Sequence, residues 1–140
     1  MTSTYIQAIR GKFSGIMSWA DLDSLWQRIL QDTDGWYLYD TNAVPPTEPL
    51  AAIELASEMD SIRQDLHTRH KHDYCGIVYA DNPAEPTFIK IYDPDNLGVV
   101  CGFSDNPPLP RWILSHIPAE AVERHKPKPG GWRRWIPGKL

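Results

Sequence analysis

The amino-acid sequence predicts an α+β domain, with two amphipathic helices packed on one face of an antiparallel sheet of four or five strands. Three observations support this class. Runs of β-branched and aromatic residues alternate with turn residues between Tyr74 and Phe103. Two segments nearer the N-terminus carry apolar residues at the spacing of an α-helix. Prolines cluster between these segments, where they interrupt helices and strands.

The helices are predicted in the first half of the chain. A short one is indicated from Thr2 to Lys12, with its apolar residues on one side. Ser18 has the chemistry of an N-cap for an amphipathic helix over Trp19–Gln31. A longer helix is expected over Leu50–His67 with a cap at Thr47, and its acidic face should lie in water.

Strands are expected in three parts of the chain. Trp36–Tyr39 is a short aromatic and aliphatic run with Trp36 and Leu38 on one face. The stretch Tyr74–Phe103 contains three further runs and forms the centre of the sheet. Trp112–Ile117 is predicted as another strand, at an edge of the sheet.

The central stretch is expected to be a three-stranded meander. Residues 93–96 read Asp-Pro-Asp-Asn, which suits a type I turn followed by a left-handed position. A three-residue loop then places Ile91 opposite Val99 and Ile89 opposite Cys101. The same turn accounts for both of its aspartates, which would otherwise be candidate ligands for a divalent cation.

A single domain is predicted over residues 1–125, and it ends in a short helix from Ala119 to His125 that Pro118 begins. Residues 126–140, KPKPGGWRRWIPGKL, contain three prolines and three glycines and are expected to form an irregular tail. Positions 120–140 carry six Lys/Arg and two acids, whereas the preceding 119 residues carry eight Lys/Arg and sixteen acids. An acidic body is therefore joined to a basic tail.

The composition is that of an ordinary soluble protein, with 41% hydrophobic and 23% charged residues among 140. No apolar run approaches the ~20 residues needed to span a membrane, and the N-terminus lacks the apolar region of a signal peptide. No membrane association is expected, and a cytoplasmic location follows by default. The two cysteines do not make a disulfide framework. No cofactor fingerprint is present, and no cofactor is predicted.

The segment from His67 to Cys75 has the densest set of possible metal ligands. Imidazole and thiolate groups suit zinc, which needs three or four converging donors. The spacing matches no standard zinc pattern, and cations at a helix C-terminus also complement the helix dipole. A metal site here is an alternative interpretation, with four candidate ligands: His67, His70, His72 and Cys75.

Two chemical pairs are excluded by their positions in the predicted strands. Cys75 begins the first strand of the meander and Cys101 ends the third, so at least ~9.6 Å separates them. A disulfide requires Cα atoms within ~7 Å. Ser115 and His116 are adjacent in a strand and point to opposite faces, so they cannot act as nucleophile and base.

The second face of the meander combines aromatic residues with glycines. Tyr74, Gly76 and Val78 are assigned to this face of the first strand, and Gly98, Val100 and Gly102 to the third. Such a face is either a shallow groove in which a base, peptide or ring stacks, or a surface covered by a helix, a loop or the tail. The candidate binding residues are Tyr74, Phe88, Lys90 and Tyr92.

The tail supplies a second candidate binding surface, formed by Trp132, Arg133, Arg134 and Trp135. Trp and Arg are enriched at interaction hot spots, and the acidic body disfavours a nucleic-acid partner. The predicted function is a non-enzymatic interaction or accessory protein whose tail docks on its own body, on a second subunit in a homodimer, or on a protein partner. The alternatives are a small-ligand or metal-binding protein using the segment from His67 to Cys75 and, more weakly, an enzyme whose site forms only in the fold.

Overall fold

The computed structural model describes residues 4–69, 74–93 and 109–122. These contain eight elements, in the order α1 (Thr4–Ile9), β1 (Ser14–Ser18), α2 (Trp19–Gln31), β2 (Tyr37–Asp40), α3 (Ala52–Arg69), β3 (Tyr74–Ala80), β4 (Phe88–Ile91) and β5 (Trp112–Ser115). The strands form one antiparallel sheet in the order β1-β3-β4-β5-β2, which confirms the predicted α+β class. In the ranges given above, no helix has the length and apolar character needed to cross a membrane.

Helices α2 and α3 pack on the same face of the sheet, as predicted. Their apolar residues recur every three or four positions and form one buried cluster with strand residues such as Ile16, Ile89 and Leu114. The indole N–H of Trp26 in α2 donates a hydrogen bond to the Met59 carbonyl of α3, 2.9 Å away. The buried helix residues are Leu22, Leu25, Trp26 and Ile29 of α2, and Leu55, Met59, Ile62 and Leu66 of α3.

The opposite face of the sheet is covered by α1 and by the segment that follows β5. Tyr5 of α1 is buried with Tyr39, Phe88 and Ile113 of the sheet. Residues 117–122 contribute further apolar contacts, and the Val122 N–H donates to the Tyr39 hydroxyl at 3.3 Å. Residues 119–122 are not helical, so the helix predicted from position 119 is wrong over this part, and positions 123–125 lie outside the described residues.

The predicted pairing of β4 with β3 is confirmed, but the partner predicted for the other edge of β4 is wrong. Strand β3 lies along one edge and β5 along the other, where Ile89 is opposite Leu114. The expected pairs of Ile89 with Cys101 and of Ile91 with Val99 are therefore not formed. Residues 94–108 lie outside the described part of the chain, and the third member of the β3-β4 meander is β5.

Strand β5 lies between β4 and β2, so the prediction that it occupies an edge is also wrong. Its residues Ile113 and Leu114 point to opposite faces, and both are fully buried. A strand with apolar residues on both faces is suited to the interior of a sheet covered on both sides.

Strand β1 was not expected from the sequence. Only Ile16 is buried among its five residues, and Gly15 and Met17 are exposed. Ile16 pairs with Val78, and the register shifts before Ser18 pairs with the first residue of β3. The strand therefore gives a weak alternation signal and has a glycine, which is depleted in strands.

The observed helix bounds follow from their caps. Helix α2 spans the predicted residues, and the Ser18 side chain caps it. Helix α3 begins at Ala52, two residues after the expected start, so Thr47 is not its cap. Instead, the Glu54 carboxylate accepts a hydrogen bond from the Ala51 N–H at 3.3 Å.

Replacement of Ser18 by alanine is expected to destabilise the protein by about 1 kcal/mol. The Ser18 Oγ accepts a hydrogen bond from the Asp21 N–H at 3.0 Å, and alanine leaves that N–H without this acceptor. Urea denaturation monitored by circular dichroism measures the effect. Ser18→Asp keeps a side-chain acceptor and should retain most of the stability, so equal losses in both variants would contradict the capping role.

Candidate functional site

A cleft of about 480 Å³ lies between α3 and the strands β2 and β5. Four apolar side chains contribute to its lining. Ile62 of α3 is buried, whereas Leu38 of β2, Trp112 of β5 and Leu50, just before α3, are only half-buried. The cleft therefore presents apolar surface that the fold has not fully enclosed.

Charged side chains surround this apolar lining and are joined in one network. Arg69 of α3 contacts Asp65 at 2.7 Å and Asp93 at 2.9 Å. Arg111 contacts Asp40 at 3.1 Å, and its second guanidinium nitrogen approaches Asp93 at 4.0 Å. Asp93 thus bridges the two arginines and links the end of α3 to the residue that precedes β5.

The ion pairs of the network favour the charged form of both arginines. Hydrogen bonding to Asp65 raises the pKa of Arg69, and hydrogen bonding to Asp40 raises the pKa of Arg111. These side chains remain partly exposed, so each ion pair adds little to stability, about 0–1 kcal/mol. Their main effect is to orient the arginines and acids around the cleft.

The acidic surface continues along α3 beyond the cleft. A shallower hollow of about 350 Å³ shares Leu50 and Glu58 with the cleft and extends to Ile53 and Glu54. Ile53 is 84% exposed, so its side chain adds apolar surface beside the acids of α3. The two depressions therefore adjoin, and together they present apolar and acidic groups on one side of α3.

Phe88 and Lys90, which the sequence singled out for binding, lie beneath α1. Phe88 is 3% exposed and contacts the rings of Tyr5 and Phe13. The Lys90 ammonium lies 3.8 Å from the centroid of the Phe13 ring and donates to the Ile9 carbonyl at 3.2 Å. Burial lowers the pKa of Lys90. Of the two interpretations of this face, the covered surface fits these residues.

The prediction that Val78 shares a face with Lys90 is wrong. Val78 lies opposite Ile91, and Tyr79 lies opposite Lys90. The ring of Tyr92 meets that of Tyr79 edge-on, with centroids 5.7 Å apart, and burial raises the pKa of Tyr92. The side chain of Tyr74 and the glycines assigned to the third strand lie outside the described part of the structure.

The metal interpretation stays a prediction. His67 is at the end of α3, where its ring stacks on Trp19 with centroids 4.0 Å apart. His70, His72 and the side chain of Cys75 lie outside the described residues. Within the ranges that are described, no three His, Cys, Asp or Glu side chains are grouped so as to bind a metal ion.

Ser115 and His116 have separate structural roles. The Ser115 hydroxyl donates to the Ile117 carbonyl at 2.8 Å. The His116 ring lies against Trp36, and its Nδ1 is 3.1 Å from the Gly35 carbonyl oxygen. Neither side chain contributes to the cleft.

Sequence reasoning missed the cleft, although it identified the acidic face of α3. Glu58 and Ser61 are exposed, as expected for a face in water, and together with Asp65 they also form one wall of the cleft. The candidate tail residues 132–135 lie outside the described chain.

Neither a protein-family model, nor a curated protein, nor a solved structure matches this chain. The function is therefore inferred from the chemistry of the cleft.

Proposed function

We propose that this protein is a non-enzymatic interaction module whose cleft binds a basic, aromatic segment of a protein partner. The observation that supports this is the combination of half-buried apolar residues with a surrounding excess of acids. Aromatic side chains would contact Leu38 and Trp112, while Lys or Arg side chains would pair with Glu58 and Asp65. Such paired apolar and cationic contacts are typical of interaction hot spots.

The charge around the cleft matches a cationic ligand. The ion-pair network and Glu58 of α3 together have a formal excess of two negative charges. The two arginines are Arg69 and Arg111, and the four acids are Asp40, Glu58, Asp65 and Asp93. Complementary potentials mainly accelerate encounter and select the partner. Because the groups are solvent-accessible, binding should weaken as salt shortens the Debye length, which is ~8 Å at physiological ionic strength.

A binding role suits these carboxylates. Asp40 and Asp65 both accept hydrogen bonds from guanidinium groups. Carboxylate oxygens that are already held by guanidinium groups are suited to further charge-assisted contacts with cations.

Binding can be tested with a displayed library of random peptides, selected on the full-length protein with alanine at positions 132–135. These four substitutions keep the tail from competing through its own cations and rings. We expect the enriched peptides to combine Arg or Lys with Trp or Phe. A selection that enriches no such peptides would overturn the proposal.

Glu58→Lys is expected to weaken binding of a selected, fluorescently labelled peptide by about tenfold or more, because it reverses a charge that lines the cleft. Fluorescence anisotropy titration gives the dissociation constants. Asp60→Lys is the matched control, since it makes the same charge change on α3 but lines the groove between α2 and α3. Equal losses in both variants would indicate a non-specific charge effect and contradict a site in the cleft.

A further inference from the structure

We propose that the chain's own C-terminal tail, residues 126–140, occupies the cleft of the same molecule. This inference rests on the proposed function, and it identifies the first occupant of the binding surface. The tail would then be an intramolecular competitor, which a partner segment must displace. Three properties support it: the chemistry of the tail, its point of departure and its length.

The chemistry of the tail matches what the cleft presents. Trp132, Trp135 and Ile136 are apolar groups suited to contact with Leu38, Leu50 and Trp112, which are only half-buried. Interleaving of tryptophans with cations allows both kinds of contact within one short segment. The tail contains no acid, in contrast to the negative excess around the cleft. Its five cations are Lys126, Lys128, Arg133, Arg134 and Lys139.

The described chain ends beside the strand that lines the cleft. Val122 donates to the hydroxyl of Tyr39 in β2, and β2 is an edge strand of the sheet. The two neighbours of Tyr39 in that strand, Leu38 and Asp40, line the cleft on the other face. The tail would therefore enter the cleft by passing around the edge of β2 that no described strand occupies.

The intervening chain is long enough for this path. Trp132 follows Val122 by ten residues, which span up to about 33–36 Å when extended. Layers packed on a sheet lie ~10 Å from it, so passing from one face of β2 to the other takes only part of this length. A tethered segment has an effective concentration in the millimolar range, which favours the cleft of its own molecule over that of a second copy at micromolar protein concentration.

Zero-length crosslinking of the full-length protein tests the inference. A carbodiimide joins a lysine ammonium to a carboxylate that contacts it, and mass spectrometry identifies the linked peptides. We expect links from Lys126, Lys128 or Lys139 to the acids of the cleft surface, Glu54, Glu58 and Asp65. A mixture of unlabelled and ¹⁵N-labelled protein should give linked peptides of a single isotope composition, since both ends belong to one molecule.

The double variant Trp132→Ala, Trp135→Ala is the control, because it keeps every tail lysine and alters only the proposed anchors. Links to the α3 acids are expected to fall by about tenfold or more, as for loss of hot-spot residues. Links confined to acids away from the cleft, or links unchanged in the double variant, would overturn the inference. Linked peptides of mixed isotope composition would assign the tail to a second copy, which also contradicts intramolecular docking.

The two proposals fail in different ways. Cleft-dependent peptides from the displayed library, found without tail links to α3, would support the binding module and refute tail docking. Tail links to α3 without any selected peptide would restrict the cleft to the tail and refute a partner-binding function. Absence of both results would refute both proposals.

Discussion

Replacement of Phe88 by alanine is expected to destabilise the protein by about 3–5 kcal/mol. The side chain is 3% exposed in the middle of the sheet, with its ring 5.3 Å from that of Tyr5 and 5.9 Å from that of Phe13. Alanine would leave a cavity between α1 and β4, which the surrounding strands fill only in part. Since small domains are stable by only ~5–15 kcal/mol, this is a large share of the total.

Chemical denaturation of the variant measures this loss. Ile53→Ala is the matched control, because it also removes a large apolar side chain, but from a position that is 84% exposed. The control should change stability by less than about 0.5 kcal/mol. If Phe88→Ala were as mild, α1 would not cover the sheet, and a binding role for the face of Phe88 and Lys90 would regain support.

Features set by neighbouring residues were predictable from the sequence. Helix α2 has the expected bounds because its cap, Ser18, and its apolar periodicity are both local. The face of α3 that is buried was also predictable from spacing alone. In both helices, the energy that selects the structure comes from residues within a few positions of each other and from one apolar face.

Features set by competition between distant segments were not predictable. The residues after Ile91 suit a tight turn, but a turn does not decide which strand lies beside β4. That edge is taken by β5, whose Ile113 and Leu114 are fully buried on opposite faces. A strand that buries apolar residues on both faces gains more from an interior position than a short segment does from local turn geometry.

The cleft depends on the same kind of long-range assembly. Only the pair Asp65 and Arg69 has the spacing of four residues that a sequence reveals on a helix. Arg69 and Asp93 are separated by 24 positions, and Asp40 and Arg111 by 71. Asp40 and Arg111 meet because β5 pairs with β2, and Asp93 lies near them because β4 pairs with the other edge of β5. The sequence did not predict these strand neighbours, and the site was therefore missed.

The second large effect is expected at Trp26, where alanine should destabilise the protein by about 3–5 kcal/mol. Trp26 is 4% exposed within the main core, and its indole N–H donates to the Met59 carbonyl. The side chain thus joins α2 to α3 above the sheet. Its loss leaves a cavity in the core and removes a contact that holds α3 against α2. We therefore expect α3, which forms one side of the cleft, to become more mobile.

Trp26→Phe separates the two contributions. Phenylalanine keeps much of the aromatic volume but lacks the N–H, so the expected loss is smaller, about 1–2 kcal/mol. Denaturant unfolding of both variants gives the two values, and circular dichroism is used in place of fluorescence because each variant removes one of the six tryptophans. A loss in Trp26→Phe as large as in Trp26→Ala would place the stabilisation in the hydrogen bond and not in packing. If neither variant lost stability, α2 and α3 would not be joined at this residue, and α3 would have to be seated by its own contacts with the sheet.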